Sequence, residues 1–274
     1  MFKNLILGTL CFTTTLTFGA TKVSGINDIT MLTAASASNC YVYDLESATN
    51  YIESKYGDTV SNVYEVIENK VLIENVKNFN QDTLNEKYNS EYYNIHKTNI
   101  SGTCTIVACL GLLNYYGNSL GEFSISESTD DAFAKIFNNC YASGYTTLTD
   151  GTADTKVNNC VTKTFSIYGS NREGDTNWWY LYDNIKDSVN SGNPIIFDLT
   201  DHSTVVCGLT TYSFNYEKKK SSGALWWKKT WTETVSETVD FVIVNEGWGR
   251  KEKSIVPTSM IKNILSDQQV CWAH

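Results

Sequence analysis

Residues 194–210 read PIIFDLTDHSTVVCGLT, and residues 239–245 read VDFVIVN. Both stretches contain short apolar runs rich in Val, Ile and Phe, and turn-forming residues such as Pro, Gly and Asn bound them. This pattern of residues is typical of buried β-strands. We therefore predict strands over residues 194–199, 202–210 and 239–245.

Helical periodicity precedes these strands in the chain. From Cys104 onward apolar residues recur mostly at spacings of three and four as far as Tyr116, and Gly117 is a natural helix stop. Further helices are predicted over residues 45–56, 129–138 and 178–191. Helices followed by strands favour an α+β fold, with an N-terminal helical layer packed on a C-terminal antiparallel sheet.

The flanking segments carry weaker patterns. Residues 62–67 and 70–76 read as two strands joined at residues 68–69, whereas the polar stretch 78–94 reads as a linker or exposed loop. Residues 140–171 are rich in Gly, Thr and Asn, and we predict loops with short strands there. Residues 38–94 are either a removable pro-segment or the first part of the domain that occupies residues 95–274.

The first 25 residues have the pattern of a signal peptide. A short basic start containing Lys3 is followed by an uncharged apolar stretch, and small residues offer cleavage points between residues 19 and 37. The stretch is short and diluted with threonine, so a permanent transmembrane anchor is not expected. We predict a secreted, extracellular protein.

The charge balance argues against nucleic-acid binding. The full chain has 21 basic and 30 acidic residues. Removing the first 25 residues takes away Lys3 and Lys22, which leaves 19 basic and 30 acidic residues and a net charge of −11. A protein this acidic is poorly suited to neutralising phosphates.

The number of cysteines indicates that at least one of them is not in an intramolecular disulfide. Of eight cysteines, Cys11 leaves with the signal peptide, and the remaining seven are an odd number for an oxidising compartment. If Cys104 stays free, six cysteines allow up to three disulfides, with a connectivity that the sequence does not specify. The spacing of Cys and His does not match a zinc site, so neither a metal nor a cofactor is expected.

Three elements in chain order suggest nucleophilic catalysis. Cys104 opens a predicted helix, where free N–H groups and the helix dipole favour a thiolate. His202 begins a strand and can serve as general base, and Asn245 ends a strand and can orient the imidazole with its side-chain carbonyl. Trp248 follows closely and can shield that hydrogen bond. Each element also has a structural explanation: a buried or disulfide-bonded cysteine, a capping histidine, or a tight turn with a packed tryptophan.

These motifs resemble the papain-like clan of cysteine peptidases. The stretch from Gly102 through Cys104 to Gly117 is similar to the helix of bacterial bacteriocin-processing leader peptidases. His202 followed by valines and a glycine is similar to that clan's histidine strand, and Asn245-Glu-Gly-Trp-Gly resembles the asparagine turn of streptopain-like peptidases. The resemblance covers roughly residues 98–255. It implies a papain-like fold and a Cys104, His202, Asn245 triad.

The chain departs from the papain pattern at the oxyanion hole. Papain-like enzymes usually carry a glutamine a few residues before the cysteine, whereas residues 97–100 are Lys, Thr, Asn and Ile. Asn99 is the candidate side-chain donor, together with the Cys104 main-chain N–H. Gln81 is farther away in the sequence. Asp201 is adjacent to His202, but strand geometry points it elsewhere.

A basic, tryptophan-rich insertion, residues 216–231, separates the histidine strand from the asparagine strand. Alternation over residues 230–239 predicts a long hairpin. The insertion is a candidate contact with the cell envelope or a flank of the substrate cleft, and its alternative is a solvated hairpin with strand-favouring aromatics.

Together these observations predict a secreted cysteine peptidase that hydrolyses peptide or protein substrates through a thioester. Two alternatives stay open: another cysteine acyl-transferase such as a cell-wall amidopeptidase, and a catalytically degenerate secreted binding protein on a peptidase fold.

Overall fold

A computed structural model describes residues 45–57, 59–199, 202–224, 226–248, 253–261 and 268–274. The predicted signal peptide and Cys40 lie outside these residues. Within the described part of the chain, no helix is long and apolar enough to cross a membrane.

The fold is mixed α/β, with helices packed on an antiparallel sheet, as the sequence predicted at this level. The helices are α1 Leu45–Tyr56, α2 Gln81–His96, α3 Cys104–Asn114, α4 Thr129–Ala142, α5 Val157–Ser166 and α6 Leu181–Asn190. A π-helical turn, Tyr115–Ser119, extends α3, and 3₁₀ turns occupy Asp154–Lys156 and Thr258–Met260. The strands are β1 Val60–Leu72, β2 Gly174–Asn177, β3 Ile195–Leu199, β4 His202–Ser222, β5 Lys229–Asn245, β6 Ser254–Pro257 and β7 Gln269–Ala273.

The seven strands form one sheet in the order β2-β7-β3-β4-β5-β6, with β1 added to β4. Strand β4 is central to the sheet, because one of its edges pairs with two different strands along its length. Its first residues, His202 to Val206, pair with β3, and its continuation from Gly208 to Tyr216 pairs with β1. The N-terminal β1 is therefore hydrogen-bonded into the same sheet as the C-terminal strands.

Helix α3 is the central element of the helical layer. Every residue from Thr105 to Asn114 is buried, and the helix packs against β4 and against α4 and α5. A helix that is apolar on all sides is stable only when it is enclosed. This enclosure holds the first residue of α3, Cys104, in a fixed position beside the sheet.

The predicted hairpin over residues 62–76 is wrong. The structure has one strand, Val60–Leu72, whose pairing with β4 shifts register between Val66 and Val71. The residues Glu68 and Asn69, which suggested a turn, lie at this irregularity. A β-bulge uses the same turn-favouring residue types as a hairpin loop, which explains the error.

The predicted linker over residues 78–94 is also wrong, because helix α2 occupies Gln81–His96. The Asn80 side chain caps it by accepting the Thr83 N–H at 2.9 Å. Only a few apolar residues, such as Leu84 and Tyr92, are buried. A mostly polar helix gives a weak apolar period, so the sequence pattern missed it.

Residues 140–171, predicted as loops with short strands, contain the end of α4 and all of α5. The buried residues of α5 have helical spacing and are Val157, Cys160, Val161, Thr164 and Phe165. The Asn and Thr residues between them obscured that stripe. The predicted helices at 45–56, 104–117, 129–138 and 178–191 are present, with shifts of a few residues at their ends.

Candidate functional site

Cys104 is the first residue of α3 and is half-buried. The preceding Gly102 has φ +62°, and its Cα approaches the loop that contains Gly151 so closely that an added Cβ would lie 2.8 Å from the Gly151 nitrogen. Only glycine combines that backbone conformation with that approach at low cost. The entry to α3 is therefore fixed by its contact with this loop.

Helix α2 holds the other side of the same entry segment. Asn89 accepts the Ile100 N–H at 2.8 Å through its side-chain oxygen, and Asn85 accepts the Thr103 hydroxyl at 2.7 Å. Thr103 and Asn85 are both buried. Since Asn85 and Asn89 are one helical turn apart, one face of α2 fixes the chain just before Cys104.

The N-terminal end of α2 reaches the turn after β5. The Gln81 N–H donates to the Gly247 carbonyl at 2.7 Å, and the Asn80 side-chain amide donates to the Trp248 carbonyl at 2.7 Å. Helix α2 thus connects the start of α3 with the turn that packs on His202. This connection was not predicted, because α2 itself was not predicted.

His202 is the first residue of β4 and is buried. Its Nε2 atom lies 2.6 Å from the Glu246 carbonyl oxygen, and its ring stacks on Trp248 with centroids 4.3 Å apart. A carbonyl can only accept a hydrogen bond, so in neutral His202 the proton is on Nε2 and Nδ1 is the basic nitrogen. Trp248, which was predicted to shield a hydrogen bond between Asn245 and His202, lies against the imidazole ring itself.

Asn245 lies at the same end of the sheet, opposite Val205. Its predicted hydrogen bond to His202 is replaced by three others. Nδ2 donates to the Val76 carbonyl at 3.0 Å, and Oδ1 accepts from Lys253 Nζ at 2.8 Å and from the Cys207 thiol at 3.9 Å. The group that holds the imidazole is the main-chain carbonyl of the next residue, Glu246. Asn245 therefore anchors the turn that presents this carbonyl.

Ser203 joins the start of α3 to the histidine strand. Its hydroxyl donates to Asp198 at 2.6 Å and lies 2.8 Å from the hydroxyl of Thr105, the residue after Cys104. Since His202 directly precedes Ser203, the thiol and the imidazole belong to one end of the sheet.

The electrostatics of the site differ from the expectation of a thiolate. Burial is the main cause that raises the pKa of Cys104, and the Asp198 carboxylate raises it further, although the donors of Ser203 and Thr105 oppose this. Burial also lowers the pKa of His202. Both shifts disfavour charge, so at neutral pH the resting pair is a thiol and a neutral imidazole.

Asp198, on β3, is a buried carboxylate that the sequence reasoning did not single out. It accepts hydrogen bonds from Ser203 and from Gln269 Nε2 at 2.9 Å. Burial raises its pKa to about 6 despite these donors. The signal that could have found it is an Asp in the middle of an otherwise apolar strand, PIIFDL.

The candidate oxyanion residue Asn99 is exposed in the segment between α2 and α3. Gln81 is closer in space to the His202 turn than its sequence position suggests, through its main-chain bond to Gly247. Asp201 lies outside the described residues. A small pocket between α3 and this end of the sheet is lined by Lys77, Asn78, Phe79, Val107, Ala108, Ser203, Val205, Asn245 and Gly247.

The six cysteines in the described part of the chain are free thiols: Cys104, Cys109, Cys140, Cys160, Cys207 and Cys271. All except Cys104 are buried. Among these six, Cys104 is therefore the cysteine most open to a reagent or substrate. Among the described residues, no group of three or more His, Cys, Asp or Glu side chains could hold a metal ion.

Comparison of the chain with protein-family models, with curated proteins and with solved structures found no match.

Proposed function

We propose that this chain is a cysteine peptidase of papain-like fold, in which Cys104 is the nucleophile and His202 the general base. The observation that carries the proposal is the contact between Thr105, the chain neighbour of Cys104, and Ser203, the chain neighbour of a buried histidine. That histidine is held by a carbonyl on one side and a tryptophan ring on the other. A half-buried thiol at a helix start, at the same end of the sheet as an oriented imidazole, fits acyl transfer.

The reaction begins with a neutral pair. His202 Nδ1 accepts the Cys104 proton as the sulfur attacks the substrate carbonyl carbon, and the Glu246 carbonyl stabilises the imidazolium through Nε2–H. The Cys104 main-chain N–H and Asn99 are the proposed donors to the oxyanion. His202 then protonates the leaving amine as the C–N bond breaks, and water hydrolyses the thioester.

The roles of Asn245 and Trp248 in this mechanism are positional. Asn245 holds the turn through Val76 and Lys253, and Trp248 keeps water from the bond between His202 and Glu246. This arrangement replaces the predicted Cys-His-Asn side-chain triad with a Cys-His pair oriented by a main-chain carbonyl. The substrate class is a peptide or protein.

The test is hydrolysis of fluorescein-labelled casein by the secreted protein and by three variants. We expect Cys104→Ala to abolish hydrolysis, and His202→Ala to reduce it by about 10² to 10⁴-fold, the usual contribution of a general base. His96→Ala is the matched control, because His96 is exposed at the end of α2 opposite to the contact with the Gly247 turn, and its ring packs on Tyr92 and Tyr141. Its activity should equal that of the unmodified protein.

Alkylation with iodoacetamide, read by peptide mass mapping, separates the peptidase from its alternatives. A peptidase should be labelled selectively at Cys104, and labelling should block casein hydrolysis. Selective labelling without casein hydrolysis would favour the cell-wall amidopeptidase. Labelling of Cys104 no faster than that of the five buried cysteines would refute the peptidase and leave a degenerate binding protein.

A further inference from the structure

The β4–β5 hairpin extends beyond the rest of the sheet. Pairing of β1 with β4 ends at Val60 and Tyr216, whereas β4 and β5 continue to pair as far as Ser222 and Lys229. Residues 217–222 and 229–234 are exposed on both faces of this two-stranded ribbon. Six residues at about 3.4 Å each give a projection of about 20 Å.

The end of this ribbon carries tryptophans in contact with solvent. Trp226 is 88% exposed and Trp227 is 84% exposed, and Trp231 on β5 is 42% exposed. The rings of these two adjacent tryptophans therefore present apolar surface to solvent. Tryptophan combines a large apolar ring with an N–H donor, and it is enriched where an apolar phase meets water.

The charge of the hairpin end is opposite to that of the molecule. Residues 217–233 contain Lys218, Lys219, Lys220, Lys228 and Lys229 but only Glu217 and Glu233, a net charge of +3. Since the whole chain carries −9, the remaining residues carry −12. One lysine, Lys220, is paired with Glu233. Basic charge is thus concentrated beside the exposed tryptophans on an otherwise acidic protein.

We propose that the hairpin end, residues 217–233, binds the surface of an anionic phospholipid bilayer. Trp226 and Trp227 enter the headgroup region, and the lysines of the two strands lie at the level of the phosphates. Basic residues next to interfacial aromatic rings are the combination that adsorbs to anionic membranes. The acidic body is repelled by the same surface, which orients the molecule with the hairpin toward the membrane.

The same features disfavour docking of a protein strand. The two edges of the ribbon carry lysines, and charged edge strands oppose pairing with another strand. Binding through two tryptophans and a few lysines is reversible and depends on ionic strength, because exposed charges are screened beyond about 10 Å at 0.1 M salt. The inference is independent of the proposed peptidase activity.

The experiment is sedimentation of the full secreted protein with sucrose-loaded vesicles. Vesicles of phosphatidylcholine alone are compared with vesicles containing 30% phosphatidylglycerol, at low salt and at 0.5 M NaCl. We expect binding only to the vesicles with phosphatidylglycerol, with loss of binding at high salt and a blue shift of tryptophan fluorescence on binding.

Matched variants assign the binding to the hairpin. Trp226→Ser with Trp227→Ser should abolish sedimentation, whereas Trp179→Ser should not, since Trp179 is 45% exposed but lies outside the hairpin. Lys218→Gln and Lys219→Gln should each weaken partitioning about fivefold, and Lys186→Gln, at an exposed position on α6, should weaken it less. These positions are exposed, so circular dichroism should show unchanged folding.

Three results would overturn the proposal. The first is absence of binding to vesicles with phosphatidylglycerol at low salt. The second is equal binding by the double tryptophan variant. The third is failure to bind lipid together with hairpin-dependent sedimentation on purified anionic cell-wall polymer, which would assign the hairpin to the wall instead of the membrane.

Discussion

Replacing Asp198 by Asn should change how the stability of this protein depends on pH. Asp198 pairs across the sheet with Ser203 on one side and Gln269 on the other, and it accepts a hydrogen bond from each side chain. Burial nevertheless raises its pKa to about 6, and the nearby charge of Asp154 adds to the rise while His202 opposes it.

The magnitude follows from proton linkage. An aspartate in the unfolded chain has a pKa of about 3.9, so the shift is about two pKa units, which corresponds to about 3 kcal/mol. Because the folded state binds the proton more tightly, the contribution of Asp198 to stability is fully present below pH 4. It is lost as the pH rises through 6. Above that pH the buried carboxylate costs about 3 kcal/mol.

Urea denaturation at pH 4, 5, 6 and 7, followed by tryptophan fluorescence, measures this cost. The unfolding free energy of the unmodified protein relative to Asp198→Asn should fall by about 3 kcal/mol from pH 4 to pH 7. Taking the difference removes the opposite contribution of His202, whose pKa burial lowers. Asp187→Asn, at an exposed position on α6, is the control and should show no such trend.

A pH-independent difference between the unmodified protein and Asp198→Asn would refute this reasoning, and so would a difference that grows in the opposite direction. The second outcome would mean that the hydrogen bonds to Asp198 outweigh its burial. The Asp198→Asn variant can also be tested through the alkylation rate of Cys104. Removing the Asp198 charge should lower the pKa of Cys104 and accelerate its alkylation near neutral pH.

Gly102→Ala should lower the free energy of unfolding by more than the roughly 1 kcal/mol that a positive φ costs a residue with a side chain, because its Cβ would meet Gly151 at 2.8 Å. Gly144→Ala is the control: Gly144 has φ +69° and nothing within 4 Å of the added Cβ, so this variant measures the cost of φ alone. Equal loss of melting temperature in both variants would contradict the steric argument. The Cys140 thiol donates to the Cys160 main-chain carbonyl at 4.0 Å, which brings these two buried cysteines together. After exposure of the purified protein to oxidised glutathione, we expect a Cys140–Cys160 disulfide in non-reducing peptide maps, and its absence after prolonged oxidation would show that helix packing forbids the bond.

Much of the fold was predictable because its patterns are local. The apolar spacing after Cys104 predicted helix α3, and the Val and Ile runs predicted β3, the start of β4 and the end of β5. The long hairpin followed from alternation over residues 230–239. The apolar spacing within a buried helix or strand shows which of its faces is buried, so a short stretch of sequence was enough to predict these elements.

Elements whose partners are remote were harder to predict. Helix α2 is mostly polar, because its Asn85 and Asn89 side chains bond to the Thr103 hydroxyl and the Ile100 N–H of another segment instead of facing an apolar core. A helix face that satisfies polar donors has no periodic apolar signature. The sequence pattern consequently suggested a linker at the place where the structure has the helix that supports the site.

In the candidate site too, the residue types were predictable from the sequence, whereas their hydrogen-bond partners were not. Residue types and their order indicated Cys104 and His202, and they indicated the turn after β5, without any coordinates. The partner of the imidazole, 44 residues away, is the carbonyl of Glu246 and not the side chain of Asn245. Neighbouring positions of a strand point to opposite faces, so the register of β4 against β5 selects which group meets the ring. That register is set by the packing of the whole sheet, which no local stretch of the chain contains.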